Sequence, residues 1–293
     1  MNNFIIQLKN DLRINKRNLI NPIILFIIID VLAILAYFIF KHNTGMSYED
    51  LMTITMDADL GANLGEFPRL LWTTAGMGVV SFVGLIMVIL SLSLNSSALN
   101  LDNFRKCEIF YRSQPISVWQ YAGSRYLVGI FAPLAIMIAV GLFNLVLVIP
   151  FLAPLVGFEF LPSLHGLFSS IFIYFRSMLV LGSLSFLASA IFREKAFMKM
   201  LLFFIAVQVM FVFAHFSLDV PMVDIFGYLI KLINPLQNFT KVSGIANMES
   251  LDGVYSFLSM RNIMFNWHCL LQVISSAVFF VSGVFIYSRK EVN

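Results

Sequence analysis

NPIILFIIIDVLAILAYFIF, residues Asn21 to Phe40, carries one charged side chain, Asp30, in twenty residues. A helix crosses the hydrocarbon core of a bilayer with about 20 mostly apolar residues, so this stretch reads as a membrane span. Outward from it, comparable runs lie near Pro22 to Phe40, Leu70 to Leu94, Tyr121 to Pro150, Leu164 to Phe192, Met200 to Ser217 and Ile263 to Tyr287. The whole chain agrees, being 59% hydrophobic and only 12% charged, with 31 Phe and a mean hydropathy of +0.88. No soluble domain of this length has that composition. The expected fold is an all-α integral membrane protein with six transmembrane helices.

The charges between the runs alternate in sign. Lys9, Arg13, Lys16 and Arg17 precede the first run; Arg105, Lys106, Arg112 and Arg125 follow the second; Arg193, Lys195 and Lys199 follow the fourth; Arg289 and Lys290 follow the sixth. The other connections carry mainly acids, among them Glu49, Asp50, Asp57, Asp59, Glu66, Glu159, Asp219, Asp224, Glu249 and Asp252. The positive-inside rule makes the basic segments cytoplasmic and puts both termini inside, in the inner (plasma) membrane of the cell. A net charge of +3 gives no reason to expect nucleic acid as a partner.

Residues 1–21 read as an amphipathic interfacial helix. From Phe4 to Leu19, Ile5, Leu8, Leu12 and Leu19 fall on one side and Lys9, Arg13, Lys16 and Arg17 on the other, the pattern of a helix lying in the headgroup layer. Asn21-Pro22 then has the form of a cap followed by a first helical residue, which would start the span, and the six-span domain would occupy 22–293. Outside, Ser47 and Asp50 have capping-box spacing ahead of a short helix over Tyr48 to Met56. The outer segment 218–262 includes Met222 to Ile233, which is apolar but too short to cross, so a re-entrant or interfacial position is expected.

The cytoplasmic segment 98–120 is the most informative local stretch, within LDNFRKCEIFYRSQPISVWQYAGSRYLVG, Leu101 to Gly129. A helix from Asp102 to Ser113 would be stopped by Pro115, and Trp119, Tyr121 and Tyr126 would sit at the interface level. SQPISVWQYAGSRYLVG, Ser113 to Gly129, resembles the serine-x-proline stretch after the coupling helix in permease subunits of ABC exporters of the type 2 membrane family. The leader LKNDLRINKRN, Leu8 to Asn18, and the tail YSRKEV, Tyr287 to Val292, resemble that family's basic interfacial helix and basic last turn. Lys106-Cys107 stand where a glycine-threonine pair is common in the family, and Arg125 where a lysine is usual.

The resemblance implies an ATP-driven export permease in which two chains, identical or different, face one another across the substrate pathway. A separate cytoplasmic ABC ATPase would dock on the coupling helix. Its candidate contacts are Asp102, Arg105, Glu108 and Arg112, with Pro115 ending the helix. ATP would be bound by that partner, because this chain has no G-x-x-x-x-G-K-[ST] loop; no cofactor, metal or catalytic residue of its own is expected. The rivals are an ion- or proton-coupled secondary transporter and a membrane-embedded enzyme. A secondary transporter would rely on intramembrane charges, of which Asp30 and Arg176 are the candidates. An enzyme would cluster His, Asp or Glu near one interface, whereas the four His, at 42, 165, 215 and 268, are scattered. Each intramembrane charge needs a partner or water, and three readings stand: the two compensate one another as a structural or gating pair, they face a water-lined cavity, or Arg176 snorkels to the outer headgroups.

Overall fold

The computed structural model describes residues 3–44, 67–100, 117–192, 195–218, 223–233 and 267–289. Among them the chain forms eight helices: α1 (Asn3–Ile14), α2 (Lys16–Thr44), α3 (Phe67–Ser97), α4 (Val118–Val156), α5 (Phe160–Ile191), α6 (Ala196–Leu218), α7 (Ile225–Ile233) and α8 (Trp267–Arg289). Six of them, all but α1 and α7, are long and apolar enough to cross a membrane, so this is a multi-pass membrane protein. The Tyr48 to Met56 helix, the Asp102 to Ser113 helix and most of 218–262 lie outside the described residues.

The first helix boundary falls earlier than Asn21-Pro22. Only Asn15 separates α1 from α2. The hydrogen-bond ladder runs through that residue, Asn15 N donating to the Asp11 carbonyl and Leu19 N to the Asn15 carbonyl, both at 3.1 Å. Pro22 is therefore inside α2 rather than at its first position. The missing N–H removes one bond from the ladder, a loss spanning helices tolerate. Prolines 133, 150 and 154 lie inside α4 in the same way, so that helix runs past the Pro150 at which the hydropathy run ends.

Spans α3, α5 and α8 run parallel to one another, with α5 between the other two. Ser170 Oγ lies 3.5 Å from the Met77 carbonyl and Ser185 Oγ 2.9 Å from that of Leu92, while Ser276 of α8 reaches the Leu179 carbonyl at 3.0 Å. Helix association in lipid lacks a hydrophobic drive, so close backbone approach has to supply the packing. Gly76 and Gly166 provide it: a Cβ on Gly76 would collide with the Ser163 carbonyl, and one on Gly166 with that of Thr73. The most apolar stretch of α5 is 61% buried, against 6% in α2 and 11% in α6. Helices α2 and α6 therefore stand at the periphery and present their apolar side chains outward.

The two ends of the bundle are tied differently. At one end Ala98, Leu99, Tyr121, Ala122, Phe186, Ala190, Val284 and Tyr287 form one buried cluster from the ends of α3, α5 and α8 and the start of α4. At the other, Gly157 adopts a left-handed φ of 73° to turn α4 into α5, and Trp72 Nε1 donates to its carbonyl at 2.6 Å. Arg69 and Glu159 form an ion pair there at 3.7 Å.

Helix α7, nine residues and so about 14 Å long, is far too short to cross. Asp224 Oδ1 accepts from Gly227 N at 2.8 Å and caps its start. Gln208 of α6 holds that start by accepting from Ile225 N at 2.9 Å and donating to the Val223 carbonyl at 3.2 Å. Gln272 of α8 holds the other end through the Leu232 carbonyl at 2.7 Å.

Candidate functional site

Two polar constellations interrupt the apolar bundle. The first clasps α1 to the end that carries the roots of segment 101–116. Asp11 is only 2% exposed. Its carboxylate accepts from Ser124 Oγ at 2.6 Å and from Gln7 Nε2 at 3.3 Å, and pairs with Arg125 Nε at 3.5 Å. Arg125 also donates from Nη1 to the Ala98 carbonyl at 2.5 Å, and its guanidinium lies 4.4 Å from the Tyr121 ring centroid. Tyr121 in turn stacks on Tyr287 of α8, with centroids 6.2 Å apart. A charge taken out of water is costly unless paired and hydrogen-bonded, and both members of this pair meet that condition.

Two further contacts anchor the described residues that flank segment 101–116. Asn100, the last described residue before it, donates from Nδ2 to the Phe192 carbonyl at 2.7 Å. Ser117, the first after it, caps α4 by accepting from Gln120 N at 3.2 Å. The candidate docking residues Asp102, Arg105, Glu108, Arg112 and Pro115 lie outside the described residues, between these two anchors.

Helix α1 meets the bundle through a polar face and leaves its apolar side chains outward, as a helix lying in the headgroup layer would. Ile5 and Leu12 remain 55% and 37% exposed, while Gln7 and Asp11, one helical turn apart, form the buried face. The basic residues Lys9, Arg13, Lys16 and Arg17 are exposed as expected. Of the expected interfacial aromatics, Trp119 is exposed, but Tyr121 is buried in the end cluster. Tyr126 faces α8, its hydroxyl 3.0 Å from Ser276 Oγ.

The second constellation contains the intramembrane charges, and it separates them. Arg176 of α5 is 2% exposed, and its Nε donates to Gln272 Oε1 at 2.6 Å. Because Gln272 also holds the end of α7, a relay joins α5, α8 and α7 around this guanidinium. Asp30 is elsewhere: it lines a groove of ≈ 410 Å³ between α2 and α4 with Tyr37, Val79, Asn144 and Phe151. Among the described residues no ion pair joins Asp30 to Arg176, so their expected compensation is replaced by an amide partner for the arginine. Gln272 supplies a neutral acceptor at a depth where a second charge would have to be desolvated as well.

Gln7, Asp11, Gln208 and Gln272 are the site residues that hydropathy did not single out. For Gln208 and Gln272 the signal was a lone amide in an apolar run, and for Asp11 a lone acid among basic residues; Gln7, among several Asn residues, carried none. No protein-family model, curated protein or solved structure matches the chain.

Proposed function

We propose that this chain is the transmembrane permease subunit of an ATP-driven exporter, working with a second permease chain and a separate cytoplasmic ABC ATPase. The observation that carries the reading is the buried Asp11–Arg125 clasp at the roots of segment 101–116. A loop that only connected two spans would not need its ends tied to α1 by a desolvated ion pair, to the end of α5 by a hydrogen bond and to α8 by a ring stack. A segment that receives force from a nucleotide-driven partner does, because its movement must reach the bundle rather than dissipate locally. The alternating charge distribution puts this end in the cytoplasm. The exposed apolar faces of α2 and α6 leave room for the second chain.

A secondary transporter is the second reading, favoured by the intramembrane acid Asp30. Affinity purification of the full chain from its native membranes separates the two. Co-eluting ATP hydrolysis, reduced by the double reversal Glu108→Arg and Arg112→Glu with insertion intact, is the expected result. A single exposed charge is worth under about 1 kcal/mol, so the double reversal is the fair test. Hydrolysis undiminished in the double variant sinks the docking role of these side chains. A native preparation without any ATPase favours the secondary transporter.

A further inference from the structure

We propose that the groove between α2 and α4 is a binding site for a lipophilic organic cation, a protonated amine carried on an apolar body. Asp30 lies 14 residues into α2, about 21 Å along the helix from Lys16 and so near mid-bilayer. Its Oδ2 is buried and accepts no hydrogen bond, and the same holds for Asn144 Oδ1 across the groove. Two acceptors without donors, one of them a carboxyl oxygen, leave a place for an N–H-bearing cation. The remaining walls are apolar and aromatic, with Tyr37 packed edge-on against Phe151 at 5.0 Å between centroids. Aromatic faces attract organic cations, and ≈ 410 Å³ falls within the range of small-molecule sites.

Among the described residues, a second copy of the chain offers no such cation. The one basic side chain set deep within the described spans is Arg176, which is buried in its own bundle and bonded to Gln272. A lipid headgroup does not reach mid-bilayer. A small amphiphile does, entering sideways past α2, whose outward face is exposed. The site needs no ATPase, so its test is independent of the permease reading.

The test is equilibrium binding of tritiated desipramine, a protonated secondary amine on an apolar tricycle, to the full chain in nanodiscs, with empty nanodiscs subtracting lipid partition. The expected result is saturable binding at one site per chain, weakened at least about tenfold by Asp30→Asn and retained in Asp30→Glu. N-acetyl desipramine, which has the shape without the charge, should not compete. Ala33 is an exposed residue of the groove wall, so Ala33→Trp should abolish binding with Asp30 intact and the fold undisturbed. That variant decides the matter if Asp30→Asn does not fold. Absence of saturable binding to the wild-type chain, equal competition by the acetylated compound, or wild-type affinity in Ala33→Trp each overturns the proposal.

Discussion

Removing Asp11 should cost the fold far more than a surface acid does. The side chains of Asp11 and Arg125 are 2% and 5% exposed, so salt and water screen the pair little. Asp11→Leu leaves Arg125 desolvated without its carboxylate, strips Gln7 of its acceptor and leaves the Ser124 hydroxyl only the Tyr121 carbonyl at 3.0 Å. Breaking one side of a buried pair costs about 3–5 kcal/mol. Arg125 retains the Ala98 carbonyl and the Tyr121 ring, which places the expected loss near the lower end, about 3 kcal/mol or roughly a hundredfold in the folding constant. Arg125→Met should cost a similar amount by stranding the acid. Replacing both with apolar groups removes the stranded charge, so the double variant should be more stable than the sum of the single losses by about 3 kcal/mol. The assay is reversible unfolding in mixed micelles, followed by tryptophan fluorescence, for the four proteins of the cycle. Additivity within about 0.5 kcal/mol would show that the two charges act independently and would refute the clasp. The double variant also separates stability from coupling. If the clasp transmits force, it should be well folded and yet fail to transport.

Gly166→Leu should destabilise the α3–α5 contact by at least about 1–3 kcal/mol, because the new side chain meets the Thr73 backbone; Gly78→Leu, where a Cβ meets nothing within 4 Å, is the matched control. Equal unfolding midpoints for the two would disprove the close approach. For the intramembrane charges, Arg176→Gln combined with Gln272→Leu should be non-additive by about 0.5–3 kcal/mol, whereas Arg176→Gln combined with Asp30→Asn should be additive. The reverse pattern in the same unfolding assay would return Asp30 to the arginine as its partner.

The spans were legible because bilayer thickness imposes a run length on any sequence that crosses it, whatever the packing. Helix ends were less so. Apolar runs stop where the hydrocarbon stops, but α4 continues from Val118 to Val156, its backbone ladder carrying it past Pro150 and Pro154. The Asn21-Pro22 pair misled for a related reason. Capping chemistry marks a helix start only where the preceding residues are not already helical, and here the ladder arrives from α1 through Asn15.

The clasp was hidden in a different way. Periodicity ranks residues by hydrophobicity and so marks Ile5, Leu8 and Leu12 as the lipid-seeking side of α1, but the face that meets α4 is set by which side chains find donors and acceptors there. Asp11 has Ser124 and Arg125 within reach on α4, partners 113 and 114 residues away in sequence that no local pattern contains. Arg125 was visible only as one more basic residue fixing sidedness. Its burial follows from Tyr121 and Tyr287 stacking above it, a contact between two spans that hydropathy treats as independent. The same logic explains Arg176, whose partner Gln272 is an uncharged amide in another span. A search for the opposite charge pointed to Asp30, although the arginine needed only an acceptor. That leaves Asp30 beside a groove with its Oδ2 accepting no hydrogen bond, a position that favours an occupant from outside the chain.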